Sequence, residues 1–474
     1  MRVISNISVI STLRECKEFS RADPYSIHPR KIRAIEKMKE IAEKRGWDIV
    51  KLEQLVIEDI FKSSGTERKV DGEVIAVKPG ALSDDFLIDF SKCARETIEE
   101  YLKAGRRQLR DGDIILLGDA HAEGYIGSKT SIIRLLEDQK AMLLGHLIKV
   151  RPNPNLINPY YLLAYLNCKL AKYYLNYSVR GQTVGLHARD VKNLPVLVPP
   201  RDIQDSIGDK LKQAIEAKIE AEKKRKEIEE IFKSHFGELN IKKLGGYTFN
   251  ISQCIEESRL DPHYFYPEFI KAIKRIRESG FEVRELSELF EFSKETIDPS
   301  KFDKFIYVEI ADIDLTYGFI SKHSVIEGKK APSRARKVIR KDYLLVPLTR
   351  PYRGAIAVVD DRYDGAVATT GFSVLYPKRD ALVDSYYLCA FLKSPWGIVQ
   401  LTQKMSNANY PAILELDIAK VLVPILPEGE RKKISENMKK IVINLISSKQ
   451  FHAEAMNELN KRLELNSEGD IYEI

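Results

Sequence analysis

A chain of 474 residues, 44% hydrophobic and 31% charged, is long enough for two to four domains with their own cores and too apolar to be disordered. Its 76 Lys and Arg against 69 Asp and Glu leave a formal charge of +7, which permits a polyanionic partner without demanding one. No apolar run approaches the roughly 18 residues of a membrane span, and Met1-Arg2-Val3-Ile4 opens no signal-peptide core, so a cytoplasmic protein is expected.

Taken in order, the elements form one pattern written twice. The first copy opens with Arg21-Ala22-Asp23-Pro24-Tyr25, which returns as Arg259-Leu260-Asp261-Pro262-His263. Pro24 and Pro262 make each opening extended or turned. A helix is predicted next, over about 31–44 and again over 267–278, stopped by Gly46 and by Gly280. Leu52 and Leu55 then match Leu286 and Leu289. The middle of each copy is a series of short β-rich runs, clearest at 114–117 and 344–346. A basic cluster precedes them: Arg106, Arg107 and Arg110 fall on Arg336, Lys337 and Arg340, and a one-residue gap then sets Asp113 on Asp342. Tyr160-Tyr161-Leu162 returns as Tyr386-Tyr387-Leu388, and each copy closes on a proline-ended strand, 194–200 and 421–427. A period this long makes each copy a whole domain, not a solenoid repeat.

After each closing strand comes a long helical pattern. Ile203, Ile207, Leu211, Ile215 and Ile219, then Ile228, Ile231 and Phe232, form an apolar stripe over 201–236. Ile434, Met438, Ile441 and Leu445, then Met456, Leu459 and Leu463, do the same over 430–465, interrupted at Ser448 and His452. Spacings of three and four predict coiled-coil-like helices, each roughly 54 Å long. Neither stripe stays dry alone, so the two helices are expected to pack together, antiparallel if a two-fold relates the copies.

These features, in this order and repeated, resemble the specificity subunits of type I restriction–modification systems. The resemblance is carried by Arg110-Asp111-Gly112-Asp113-Ile114-Ile115, by Tyr160-Tyr161-Leu162 to Leu166, and by Leu194-Pro195-Val196-Leu197-Val198-Pro199-Pro200 with Gln204 and Ile207. The second copy departs from it at Lys341-Asp342, where Gly-Asp is more usual, and at Glu430-Arg431, where Glu-Gln is common. The resemblance implies an α+β protein with target-recognition domains at 1–200 and 240–427. Long helices follow at 201–239 and 428–474 and form an antiparallel coiled coil. It also implies a non-catalytic reader of a bipartite, asymmetric DNA target, one half-site per domain, with the helices setting the spacing. Two methyltransferase subunits and the restriction–translocase subunits would dock on it, and S-adenosylmethionine, ATP and Mg would belong to those partners, with no cofactor in this chain. The rival readings are a stand-alone methyltransferase or nuclease and a helical scaffold that reads no DNA.

Asn158-Pro159-Tyr160-Tyr161 is close to the Asn-Pro-Pro-aromatic loop of adenine methyltransferases but lacks the second proline, and its partner copy reads Asp384-Ser385. Helix capping is the better reading. His121 and Glu123 lack a supporting His/Cys cluster for a metal. The cysteines at 16, 93, 168, 254 and 389 make no CxxC pair, so neither a disulfide framework nor a zinc ribbon is expected. Asp84, Asp85 and Asp89 read as a solvated turn. The run 329–341 holds seven cations and no carboxylate, and with Arg106 and Arg107 it suggests phosphate contacts through Lys330, Arg334 and Arg336. Base-edge reading needs Arg, Lys, Asn or Gln on loops that face a groove. The candidates are Lys129, Arg180, Gln182 and His187 in the first copy, and Arg350, Tyr352, Arg353, Asn407 and Asn409 in the second.

Overall fold

Pro29 can open the first described helix because its missing N–H is one that a first-turn residue leaves unpaired anyway. The computed structural model of the chain describes residues 28–64, 71–119, 129–178, 185–239, 241, 246–257, 259–406 and 409–465. The opening motif at 21–25 lies outside them.

The first copy contains helices α1 (Pro29–Arg45), α2 (Pro159–Asn167), α3 (Lys169–Asn176), α4 (Ala188–Lys192) and α5 (Arg201–Phe236). Its strands are β1 (Asp48–Lys51), β2 (Phe61–Lys62), β3 (Val74–Val77), β4 (Ala94–Glu96), β5 (Gln108–Leu109), β6 (Ile114–Leu117), β7 (Thr130–Ile132), β8 (Ala141–Leu143), β9 (Leu147–Val150) and β10 (Pro195–Val198). The second copy contains α6 (Pro267–Arg277), α7 (Ser385–Lys393), α8 (Pro395–Lys404), α9 (Glu415–Ala419) and α10 (Glu428–Arg462). Its strands are β11 (Glu282–Glu285), β12 (Phe290–Phe292), β13 (Lys304–Val308), β14 (Ser324–Glu327), β15 (Ala335–Val338), β16 (Leu344–Pro347), β17 (Ala357–Val358), β18 (Val367–Thr369), β19 (Phe372–Pro377) and β20 (Leu422–Ile425). Leu52–Leu55 and Leu286–Leu289 form a matching helical turn. The short helices Ile98–Lys103 and Ile251–Glu256 fall outside the shared pattern.

The sheets repeat strand for strand. The first copy has four-stranded sheets ordered β2-β9-β6-β7 and β4-β3-β8-β5, and adding ten to every strand number gives the second copy's β12-β19-β16-β17 and β14-β13-β18-β15. Even the parallel pairing recurs, β3 with β8 and β13 with β18. β1 with β10 and β11 with β20 make separate antiparallel pairs. β6 and β16 are buried at every position, which is why they read as unbroken apolar runs.

One detail of the sequence alignment is corrected. Gly112 (φ +84°) and Asp342 (φ +61°) occupy the same left-handed turn position. The Gly112 N–H donates to the Ile133 carbonyl and the Asp342 N–H to Val359, while Asp113 and Tyr343 return N–H groups to Arg110 and Arg340. No gap is needed: Asp342 stands where the first copy has glycine, and Tyr343 stands in place of Asp113. The consequence reaches the core. Asp113 forms a bidentate pair with Arg151, 2.6 and 2.7 Å, and Glu58 holds the same guanidinium at 2.8 Å. In the second copy β9's neighbour Arg151 becomes Tyr376, whose ring stacks on Tyr343 at 5.1 Å and whose hydroxyl donates to Glu291. A buried ion pair in one copy is thus an aromatic pair in the other.

The other departure also has a physical account. Gln204 donates its side-chain amide to the Pro199 carbonyl, and Arg431 donates its Nε to the matching Leu426 carbonyl, both at 2.8 Å. Arg431 does the same job with a longer arm.

The chain divides into two compact units, Met1–Ala217 with Ser447–Ile474, and Lys218–Ile446. Each long helix contributes one part to each unit. In the first unit Lys210 and Ser206 bond Glu458, and the Ser448 hydroxyl donates to the Ala214 carbonyl at 2.7 Å, so the helix segments run antiparallel. In the second, Asn437 bonds Glu227 and His235 bonds Glu430, again antiparallel. Ser448 and His452, which interrupt the apolar stripe, are absorbed: the serine bonds across the pair, and the His452 ring packs on Phe86 at 4.5 Å.

Burial alone would raise the carboxyl pKa values of Glu58 and Glu458. Lys149 and Arg151 outweigh it for Glu58, and Lys210 with Ser206 for Glu458, so both sit below the ordinary 4.5. A depressed folded-state value means that the stabilisation is complete above the unfolded value and is lost as pH falls through the folded one. The first unit should therefore unfold more easily as pH drops below about 4.5, and Glu458→Gln should flatten that dependence in acid-titrated urea melts.

Candidate nucleic-acid interface

Two loops that the sequence presents as separate candidates meet in each copy, in the first through their described ends. In the first, Asp119 after β6 bridges Gly185 ahead of α4, and the Leu186 N–H donates to the Gly118 carbonyl at 2.7 Å. In the second, Thr349 after β16 bridges Ala412 ahead of α9, and Ile413 donates to Leu348 at 2.8 Å. Gly118 is required where the strand leaves the sheet, since a Cβ there would lie 2.6 Å from the His146 carbonyl oxygen. The same loop pair is built twice, on the same strands, from different sequences.

The candidates divide by what they touch. In the second copy Arg350, Tyr352 and Arg353 lie on the β16–β17 loop, and Asn409 on the facing one. The Arg350 guanidinium lies over the Tyr410 ring, 5.2 Å from its centroid, and its backbone N–H donates to Pro411. Tyr352 and Arg353 also line a cleft of about 280 Å³ with Arg225, Tyr317 and Lys393. The Lys393 ammonium closes one side of the cleft by donating to the Leu315 and Gly354 carbonyls. In the first copy Lys129 faces Asp84 at 3.4 Å, and His187 is exposed at the start of α4. Arg180, Gln182 and Asn407 lie outside the described residues, as do His121 and Glu123.

The basic run is less free than its sequence suggests. Lys330 pairs with Glu327, Arg334 with Glu309, Lys337 with Glu415, Arg340 with Glu295 and Lys341 with Asp361. Arg336 donates to the Ser333 carbonyl. In the first copy Arg106 pairs with Asp59 and lies over Phe61, while the neighbouring Arg107 is half-buried. Apart from Glu327, three residues before Lys330, the acidic partners come from strands and turns well away in sequence, so the linear charge count overstates the field on this face. Lys337 and Ser373 both hold Glu415, which places the run's one half-buried lysine at the start of α9, where the second candidate loop ends.

Sequence reasoning missed Tyr410 and the cluster under the first loop pair. There Lys62 and His146 both bond Asp119, at 2.5 and 3.0 Å, and fix the loop base. Tyr410 is 74% exposed beside a cationic loop, and an aromatic interleaved with basic residues was the available signal.

Other motifs resolve to structure. Asn158 caps α2: its Oδ1 accepts the Tyr160 and Tyr161 N–H groups, and its Nδ2 donates to Asp205. With amide oxygen and nitrogen both engaged, and Gly208 packed against it, the group does not face a base pocket. Asp384 caps α7 in the same way and takes a bond from Ser435, which replaces Gly208. Tyr161 and Tyr387 donate to the Leu197 and Pro424 carbonyls and tie each cap to its closing strand. Asp89 caps the turn at Phe90–Lys92. Among the described residues no cluster of His, Cys, Asp and Glu is placed to hold a metal, and no helix is long and apolar enough to cross a membrane.

Residues 44–230 match the family model of the type I restriction modification DNA specificity domain. No curated protein matches the sequence. Among solved structures, the type-I restriction-modification S subunit from M. genitalium is similar at 14% identity and TM-score 0.46, over 89% of this chain and 97% of that one. The HsdS subunit from Thermoanaerobacter tengcongensis is similar at 17% identity and TM-score 0.27, over 88% of this chain and 96% of that one. A structure describing complex assembly and conformational transition of the type I R-M system aligns at 15% identity and TM-score 0.29, over 88% and 97%. That family match spans most of the first copy and of α5, and stops short of the second copy.

Proposed function

We propose that this chain is the cytoplasmic specificity subunit of a type I restriction–modification complex and reads a bipartite DNA target, one half-site per copy. The observation that supports this reading most is the paired loop ends: the same bridge, Asp119 to Gly185 and Thr349 to Ala412, joins two loops at the same place in both copies, and the two copies carry different loop sequences. A shared scaffold with unlike reading loops suits a target whose two halves differ in sequence. The paired long helices set the distance between half-sites, as a dimeric reader does through its two-fold geometry. Two methyltransferase subunits and the restriction–translocase subunits dock on the chain and bring S-adenosylmethionine, ATP and Mg with them. Within each copy, Lys129, Arg180, Gln182 and His187, or Arg350, Tyr352, Arg353, Asn407 and Asn409, face base edges. Arg106, Arg107, Lys330, Arg334 and Arg336 contact phosphates by exchanging their present partners for the DNA backbone.

The test is an exchange of one copy between relatives. Replacing 240–427 with the same region of another specificity chain should change one half of the selected target and leave the other half intact, read by sequencing duplexes bound from a random library. A change in both halves, or in neither, overturns the proposal.

A further inference from the structure

We infer that Arg350 is a guanine-reading residue of the second copy, held ready by Tyr410 and by a strained backbone. The inference rests on the DNA-reading function proposed above and goes beyond it by naming a residue, a base and a positioning partner.

Three independent observations converge on Arg350. First, its backbone is left-handed, φ +48° and ψ +51°, a region that favours glycine. It also precedes Pro351, and a residue before proline is ordinarily extended. Three other described non-glycine residues have positive φ, and each has a local account. Phe86 is buried against His452, Asp342 stands in the turn where the first copy has Gly112, and Glu464 ends the last helix paired with Lys44. Arg350 alone of the four lies on a candidate reading loop. Strained backbone at such a place is a pointer to function.

Second, the strain is held in place. The Arg350 N–H donates to Pro411 at 2.8 Å, the adjacent Thr349 bridges Ala412, and the turn that follows closes at Gly354, φ +70°. Both reading loops thereby fix where the side chain leaves the backbone.

Third, the guanidinium is oriented but not consumed. Its carbon lies 5.2 Å from the Tyr410 ring centroid, and among the described residues it meets no carboxylate, whereas Arg106, Arg334 and Arg340 are each paired with one. A guanidinium against an aromatic face keeps its N–H donors in its own plane, directed outward. Two of those donors match the O6 and N7 acceptors that guanine alone presents together in the major groove. Lysine, a point charge, lacks that fork. Tyr410 acts as a positioning residue through Arg350.

The full-length chain should be used to select from a random duplex library, with the bound fraction sequenced for wild type and four variants. Arg350→Gly removes the side chain and relieves the backbone, so it should fold at least as well as wild type. It should lower the preference for one guanine, in the half-site assigned to the second copy, by roughly ten- to hundredfold. Arg350→Lys should lose most of that preference while total binding to mixed-sequence DNA is kept. Tyr410→Leu should weaken it, and Tyr410→Phe should retain it. An unchanged base preference in Arg350→Gly overturns the inference, as does a loss at a base other than guanine or an even loss over both half-sites. If wild type selects no bipartite sequence at all, the proposed function falls too; a bipartite motif that Arg350→Gly leaves intact sinks this inference alone.

Discussion

Replacing Asp113 with alanine should destabilise the Met1–Ala217 unit by about 3–5 kcal/mol, because it strands a buried guanidinium. Asp113 is 1% exposed and Arg151 8%, and the two share both carboxylate oxygens and two guanidinium nitrogens. Asp113 also accepts the Arg110 N–H, so the loss breaks the turn into β6 as well. Glu58 keeps its single contact to Arg151 and does not replace a bidentate partner. The second copy supplies the control, since Tyr343 and Tyr376 stand at the same two places. Changing Asp113 and Arg151 together to tyrosines should cost much less than either single change, as buried ion pairs exchanged for packed rings of similar volume often do. The chain has two tryptophans, Trp47 in the first unit and Trp396 in the second, so fluorescence follows each unit separately. In a Trp396→Phe background, urea melts of Trp47 emission should show the loss. A double variant no more stable than the singles would mean that the ion pair is required by the turn and not only by charge balance.

Phe232→Ala should destabilise the Lys218–Ile446 unit by a similar amount, about 3–5 kcal/mol, through lost burial and the cavity left behind. Phe232 is 2% exposed on α5, with its ring 6.3 Å from Tyr387 and 5.9 Å from Phe391, both on α7. α7 is capped by Asp384 and tied to β20 through Tyr387, so the cavity opens where helix, cap and strand are joined. Trp396 emission in a Trp47→Phe background reports it. Ser234→Ala, on the exposed side of the same helix, should leave the melt unchanged. A Phe232→Ala loss below about 1 kcal/mol would show that α7 relaxes to fill the space, which sets the lower end of such costs.

Much of the architecture was legible in the residues because it rests on local signals. The long helices follow from apolar spacing, and α5 spans the expected 201–236. Gly46 caps α1 as expected, whereas Gly280 lies two residues beyond Glu278, where its helix ends. The one-residue gap was introduced needlessly because Asp113 and Asp342 are the same residue type, and only backbone conformation separates them. Strand order, the parallel pairing in each copy, and the Asp113–Arg151 bond depend on contacts far apart in sequence, which no periodicity encodes.

For the site, composition singled out the candidate loops, but not the fact that they meet, since a single bridge between Thr349 and Ala412 decides it. The charge run is more nearly neutral in the fold than its sequence suggests. Glu295, Glu309, Asp361 and Glu415 neutralise much of it from elsewhere in the chain. Arg350 and Arg353 meet no carboxylate among the described residues.

Because the first unit needs Ser447–Ile474 as well as Met1–Ala217, it is begun before the second unit and finished after it. Ala455, Leu459 and Leu463 are buried, and Glu464 clasps Lys44 and Arg45. Until the ribosome has made the second half of α10, the earlier half of the protein waits with an open apolar seam, whereas Lys218–Ile446 is contiguous and is complete once Ile446 is made. A message cut short after the second unit yields a chain whose later-made part is whole and whose earlier-made part is not, and it is that older part that proteases would find.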